Sequence, residues 1–225
     1  VGDNEIQRYL LDNLPLSEQS NYTVGMVYRT FFNTGSLRLI ASRSGLGNSA
    51  EKYFQNDDSV GDNLLLKYAS KEESNRFRTE YIWSRNHTKL LFGAGVDDLK
   101  STFQVYNKSY NSNGEQVVSY DSEVRMLQYS AFGQWTQSLF KERLTLNLGG
   151  RADASNYNEQ TGDLFKNISA RLLLTYKLSD AVSISIGTSN YTQLPPMNTL
   201  GYADASGLVN EPVIRYLRST HYTAG

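Results

Sequence analysis

Apolar and polar residues alternate through three successive segments between residues 143 and 191. Successive side chains of a β-strand point to opposite sides of a sheet, so period-two alternation is typical of strands whose two faces meet different surroundings. The apolar positions include Leu144, Leu146, Leu148, Leu172, Leu174, Ile184 and Ile186. The intervening positions carry the charged residues Arg151, Asp153, Arg171 and Lys177. The pattern predicts strands with one apolar and one polar face.

Strand-like segments continue through most of the chain and are separated by turn signals. These signals fall at residues 33–36, 71–75, 85–87 and 140–143. We predict an all-β protein, an antiparallel meander of roughly ten strands over residues 1–225, without an internal linker. Residues 44–62 and 107–116 are expected to be polar loops, and residues 4–14 one or two helical turns ended by Pro15.

Two architectures produce one apolar and one polar face. A soluble β-sandwich or closed soluble barrel, acting as a binding module, turns the apolar face inward. A transmembrane β-barrel turns it toward lipid, and each of its strands needs only about 9–11 residues, half of them polar. A mean hydropathy of -0.49 and the lack of any run of about 18 apolar residues exclude a helical span. In the membrane interpretation, the seven leucines and isoleucines are lipid-facing and the four charged residues are lumen-facing.

Composition narrows the candidate chemistry further. A net charge of -1 without a basic block argues against nucleic acid as a partner. The absence of cysteine excludes disulfides, thiol catalysis and zinc–thiolate sites. Because no nucleophile–base grouping stands out, we predict neither an enzyme nor a cofactor. The carboxylates of Asp57, Asp58 and Asp62 are the one candidate set of calcium ligands, although acidic loop residues are usually just solvated.

The order and spacing of four segments resemble the barrel of TonB-dependent outer-membrane receptors, of the kind found in Bacteroidetes. Residues 149–153 are similar to the "G-x-R-x-D" strand of that family, and residues 168–179 to its next strand and periplasmic turn. Residues 185–196 resemble the following strand and the proline pair that opens an outer loop. Residues 211–225 are similar to the strand after that loop.

This resemblance implies a segment from the middle of an outer-membrane barrel that serves energy-coupled nutrient uptake. Its implied partners are outer-membrane lipid, a plug domain, TonB and a small solute, with the plug and the closing strands outside residues 1–225. Solute contacts are expected from residues 107–116, 156–163 and 194–212. A passive porin-like channel shares the architecture without plug or TonB. An isolated open segment is expected to self-associate through its unpaired edges.

The resemblance also raises a question of orientation. If residues 140–143 and 179–181 are periplasmic turns, counting strands backward places residues 33–36 at the outer rim. The long segment 44–62 then lies on the periplasmic side, where turns of such barrels are short.

Overall fold

The computed structural model describes residues 4–6, 9, 14–112, 114–204 and 206–225. In this part of the chain, nine strands form a single antiparallel sheet in which each strand pairs with the next one along the chain. The strands are β1 (Leu16–Phe32), β2 (Gly35–Tyr53), β3 (Leu64–Arg85), β4 (Thr88–Asn111), β5 (Gly114–Leu139), β6 (Leu144–Ser155), β7 (Ile168–Lys177), β8 (Ser183–Gln193) and β11 (Leu217–Ala224). The prediction of an all-β meander is therefore confirmed.

The remaining elements are short. The strands β9 (Ala203–Asp204) and β10 (Gly207–Leu208) form a ribbon, and one helical turn spans Met197–Leu200. Two 3-10 turns, Phe54–Asn56 and Gly61–Asn63, lie between β2 and β3. In the predicted N-terminal helix, Glu5, Ile6 and Tyr9 are helical, and its other residues lie largely outside the described part. The described residues contain no helix of sufficient length and apolar character for a membrane crossing.

Short and long connections alternate between two rims of the sheet. The short turns are neighbours along one rim, where backbone N–H groups donate to backbone carbonyl groups of the adjacent turn. These hydrogen bonds run from Ser84 to Thr34 (2.8 Å), from Ser138 to His87 (2.9 Å) and from Lys177 to Arg143 (2.8 Å). We call this edge the short-turn rim. The longer connections, residues 54–63, 156–167 and 194–216, lie at the opposite, long-loop rim together with the link from Asn111 to Gly114.

The prediction that residues 44–62 and 107–116 are loops is confirmed for residues 54–62 but wrong for residues 44–53, 107–111 and 114–116, which are strand. Strand β2 continues to Tyr53, β4 reaches Asn111, and β5 begins at Gly114, which has a φ of +106°. These segments are rich in Ser, Asn and Gly, so they carry no apolar period that sequence reading could detect. Pairing with strands on both sides satisfies their backbone groups instead.

The predicted turn at residues 71–75 is also wrong, because β3 runs unbroken through it and pairs with β2 and β4 throughout. Its charged side chains are compatible with a strand, since they meet partners on the neighbouring strands. Removing this turn changes the strand count before residue 140. Residues 33–36 then lie at the same rim as residues 140–143, and the orientation question disappears.

The two faces of the sheet follow from the register, because directly opposite residues of paired strands share a face. Leu146 pairs with Leu174, and Leu174 pairs with Ile186. The same side, which we call the outer face, also holds Leu144, Leu148, Leu172 and Ile184. Ile184 and Ile186 are more than half exposed. Arg151, Asp153, Arg171 and Lys177 occupy alternate positions on the opposite, inner face.

The apolar cluster of the molecule lies on the inner face, near the long-loop rim. Val124 and Met126 of β5 pack there against side chains from two loops, namely Tyr157, Leu194, Leu200 and Ile214. Among the described residues, no second large sheet covers the outer face. This arrangement differs from the soluble sandwich, which requires the Leu- and Ile-bearing face to be internal.

Candidate functional site

A polar cleft of ≈ 840 Å³ opens on the inner face. Its lining comes from β2 to β8 and from β11, so the inner face curves around it. The charged lining residues are Arg38, Arg78, Glu80, Arg151 and Arg171. We treat this inner-face cleft as the candidate functional site.

Glu80 organises one side of the cleft. Its side chain is only 3% exposed, accepts a hydrogen bond from Nε of Arg38 (2.8 Å) and forms an ion pair with Nε of Arg78 (2.7 Å). The Arg78 guanidinium also lies 4.3 Å from the centroid of the Phe132 ring, within cation–π range. Two arginines therefore share one carboxylate, which leaves this cluster with a positive charge.

The other side of the cleft is lined by Arg151 and Arg171, two of the residues predicted from sequence. Arg151 forms a two-point ion pair with Asp153, with Nε–Oδ2 at 2.8 Å and Nη2–Oδ1 at 2.6 Å. Arg171 donates from Nη2 to Gln134 Oε1 at 2.6 Å, and it forms no ion pair within the described residues. Lys177 is separate, because its Nζ binds Asp180 Oδ1 at 2.8 Å beside the short-turn rim.

The charges in the cleft do not balance. Its four arginines are matched by Glu80 and by Asp153, the partner of Arg151, which leaves an excess of two positive charges. A concave surface with low-dielectric walls concentrates the field of such charges. The cleft therefore favours carboxylate or phosphate groups over cations.

Sequence reasoning misses Arg38, Arg78 and Glu80. A signal is present, since Arg78 and Glu80 alternate with apolar Phe77 and Tyr81 in the way that Arg151 and Asp153 alternate with their neighbours. Because the sequence wrongly predicts a turn at residues 71–75, it does not predict how this strand pairs with its neighbours. Its polar face therefore cannot be aligned with the polar face of β6.

Two loops join over the inner face and narrow its opening at the long-loop rim. The Tyr157 hydroxyl donates to the Leu200 carbonyl (2.8 Å), and Asn158 Nδ2 donates to the Ile214 carbonyl (3.1 Å). Burial raises the pKa of the Tyr157 and Tyr216 hydroxyls above the ordinary tyrosine value. Below these loops lies a second polar cleft of ≈ 620 Å³ that Arg151 and Asp153 also line.

The predicted solute-contacting loops have different positions. Residues 156–163 and 194–212 belong to the joined loops above the cleft. Residues 107–111 and 114–116 are the ends of β4 and β5 instead.

The predicted calcium ligands receive no support from the geometry. Asp57 Oδ1 accepts hydrogen bonds from the Ser59 backbone N–H (3.0 Å) and hydroxyl (2.5 Å), which lower the pKa of Asp57. Within the described residues, no group of three or more His, Cys, Asp and Glu could hold a metal ion. The calcium site stays a prediction.

Comparisons with known proteins agree with this geometry. The family described as "TonB dependent receptor-like, beta-barrel" matches residues 2–225. The chain is similar in fold to the copper transporter OprC, with a TM-score of 0.66, 15% identity, and coverage of 92% of this chain and 35% of that one. The outer membrane transporter YddB from Escherichia coli gives a TM-score of 0.53 and 15% identity, with 77% and 26% covered. The chain thus spans about a third or less of these transporters. No curated protein matches it.

Proposed function

We propose, from the premise that this chain belongs to the TonB-dependent receptor-like β-barrel family, that it forms part of the wall of an outer-membrane importer. The full-length protein takes up a small nutrient with energy supplied through TonB, and this segment performs no covalent chemistry. The observation that carries the proposal is the division of one curved sheet into an uncovered Leu- and Ile-bearing outer face and an arginine-rich inner cleft.

The outer face suits hydrocarbon. In lipid, every backbone N–H and C=O must be bonded within the protein, which a sheet achieves only by closing into a barrel. The first and last strands, β1 and β11, are the edges of this sheet. In the proposal, further strands of the full-length protein pair with these edges. The isolated segment self-associates through the same edges, because open edges and an apolar face are unfavourable in water.

The inner cleft suits an acidic occupant of the lumen. Arg171 lines the cleft, and among the described residues its guanidinium donates to the neutral Gln134 and forms no ion pair. A carboxylate from the plug domain or from a passing solute would gain a charge-assisted hydrogen bond there. The joined loops at the long-loop rim supply the first contacts with solute.

Conductance distinguishes the importer from a passive porin-like channel. The full-length protein, purified from outer membranes, is inserted into planar lipid bilayers in KCl. An importer with its plug seated gives no steady conductance, and its purified form binds the periplasmic domain of TonB. A constitutively open channel that does not bind TonB would favour the porin, and failure to insert into the bilayer would favour a soluble module.

A further inference from the structure

The outer face changes from apolar to charged at one height across β2 to β5. On the short-turn side, these strands carry Leu37, Leu39, Phe77, Tyr81, Phe92, Val96, Tyr129 and Trp135 at alternate positions. On the long-loop side, the same face carries the charged belt, defined as Arg43, Lys71, Glu73, Asn75, Asp98, Lys100, Glu123 and Arg125. The change is aligned across strands, because Asn75 lies opposite both Arg43 and Asp98.

Six members of the charged belt form a continuous network. Arg43 donates to Asn75 Oδ1 (2.9 Å) and to Glu73 Oε1 (3.1 Å). Asn75 Nδ2 donates to Asp98 Oδ2 (3.3 Å), and Asp98 Oδ1 lies 3.5 Å from Arg125 Nε. Lys100–Glu123 (3.0 Å) is a separate ion pair of the charged belt, and Lys71 joins the network through Glu73 (3.3 Å). Its members hold one another in place across four strands.

Three of the four cations of the charged belt are at least half exposed. The side chains of Arg43, Lys71 and Arg125 are 50%, 65% and 69% exposed. Those of Glu73 and Asp98 are 24% and 32% exposed, whereas the pair Lys100–Glu123 has the opposite order, with 43% and 53% exposed. Glu73 and Asp98 orient the basic groups beside them, so around Arg43, Lys71 and Arg125 the surface that a neighbour meets is mainly guanidinium and ammonium. Such a surface complements phosphate.

The charged belt lies at the height expected for a membrane boundary. Strand β4 advances ten residues from Thr88, at the short-turn rim, to Asp98. At about 3.3 Å per residue and a tilt of about 40°, this distance corresponds to about 25 Å along the membrane normal, which is the height of the apolar band of outer-membrane barrels. Strands β6 to β8 have 12, 10 and 11 residues and only span this band. Strand β4 continues from Asp98 to Asn111, about 30 Å beyond it.

We propose that the charged belt lies among the lipid headgroups on the long-loop side of the membrane and binds their phosphate groups through Arg43, Lys71 and Arg125. This inference rests on the proposed function, since it requires the outer face to be in a bilayer. The upper parts of β2 to β5 then stand clear of the membrane as an extended wall.

The depth of the boundary can be measured with spin labels. The segment has no cysteine, so single labels are placed on the outer face of β4 at Ala94, Val96, Asp98, Thr102 or Gln104 in the full-length protein, with any other cysteine replaced by serine. In vesicles, we expect oxygen accessibility to dominate at Ala94 and Val96, and accessibility to a water-soluble nickel complex to dominate at Thr102 and Gln104. A crossover elsewhere would overturn the placement of the charged belt but leave the barrel intact. No oxygen-accessible position at all would overturn the proposed function itself.

Recognition of phosphate is tested with a matched pair of variants. Arg125 and Lys67 are both exposed cations of the outer face with one ion pair each, to Asp98 (3.5 Å) and Glu51 (3.3 Å), but Lys67 lies well beyond the charged belt. We expect the full-length protein to unfold at a higher temperature in phosphatidylglycerol than in phosphatidylcholine vesicles. In the Arg125→Gln variant, this difference in unfolding temperature between the two lipids should be smaller. The Lys67→Gln and Arg125→Lys variants should keep the full difference.

The alternatives give distinct results. Equal losses in Arg125→Gln and Lys67→Gln would indicate a general charge effect and overturn the proposal. A wild-type protein that unfolds at the same temperature in both lipids would overturn it as well. If Arg125→Gln folds poorly in both lipids, Lys71→Gln repeats the comparison at the most exposed lysine of the charged belt.

Discussion

Two adjacent leucines provide a sharp test of the membrane orientation. Leu172 lies on the outer face, opposite Leu148 and Thr188. Leu173 lies on the inner face, opposite Asn147 and Gly187. The substitutions Leu172→Arg and Leu173→Arg therefore make the same chemical change at neighbouring positions on opposite faces.

The expected free-energy cost of each substitution follows from the depth of the residue in the membrane. Leu172 is five residues from Lys177, the end of β7 at the short-turn rim, which corresponds to about 13 Å along the membrane normal. This position is close to the middle of an apolar band of about 25 Å, where an arginine on the lipid side costs about 2–4 kcal/mol. That cost lowers the folding equilibrium constant by a factor of roughly 30–1,000. Leu173→Arg places the arginine on the inner face, opposite Asn147, and should cost no more than about 1 kcal/mol.

The assay is equilibrium unfolding of the full-length protein in phosphatidylcholine vesicles by guanidinium chloride, followed by tryptophan fluorescence. Tyr176→Arg, on the outer face at the edge of the band, serves as the depth control and should cost about 0–1 kcal/mol. The proposed membrane orientation would be refuted if Leu172→Arg lowers the free energy of unfolding no more than Leu173→Arg does. A cost at Tyr176 equal to that at Leu172 would also contradict it, because burial in a protein core has no such dependence on depth.

Three further outcomes are expected. Glu80→Gln removes the carboxylate that two guanidinium groups share and should lower the free energy of unfolding by roughly 1–3 kcal/mol in the same titration; an unchanged value would contradict the ion-pair cluster. Tyr157→Phe removes the buried hydrogen bond to the Leu200 carbonyl, and trypsin should then cleave the loop at residues 194–216 faster; equal rates would show that this bond does not hold the loops together. The hydrogen bond from Lys166 lowers the pKa of Asp163, so its stabilising contribution is present above the usual carboxyl pKa and is lost as pH falls through the folded value. In thermal unfolding between pH 6 and pH 3, Asp163→Asn should therefore flatten the acid-side decline, and an unaltered decline would count against this linkage.

Much of the inner-face cleft can be derived from sequence, and the part that cannot has a clear cause. Arg151, Asp153 and Arg171 are found because alternation places them opposite an obvious apolar series. The cluster around Glu80 depends on Arg38, which is 42 residues away in the chain. A contact of that separation is created by strand register, which the residues near Glu80 do not encode.

Local alternation by itself determined the strand character of the three alternating segments between residues 143 and 191 and the separation of their two faces, because side-chain direction in a strand depends only on its period of two. The tertiary structure alone decided where β2, β4 and β5 end, since their Ser-, Asn- and Gly-rich halves have no apolar period and are held by hydrogen bonds to neighbouring strands. Register across those longer strands also assembled the Glu80 cluster on one face and the charged belt on the other. Both depend on pairing between distant segments, which is a property of the whole sheet.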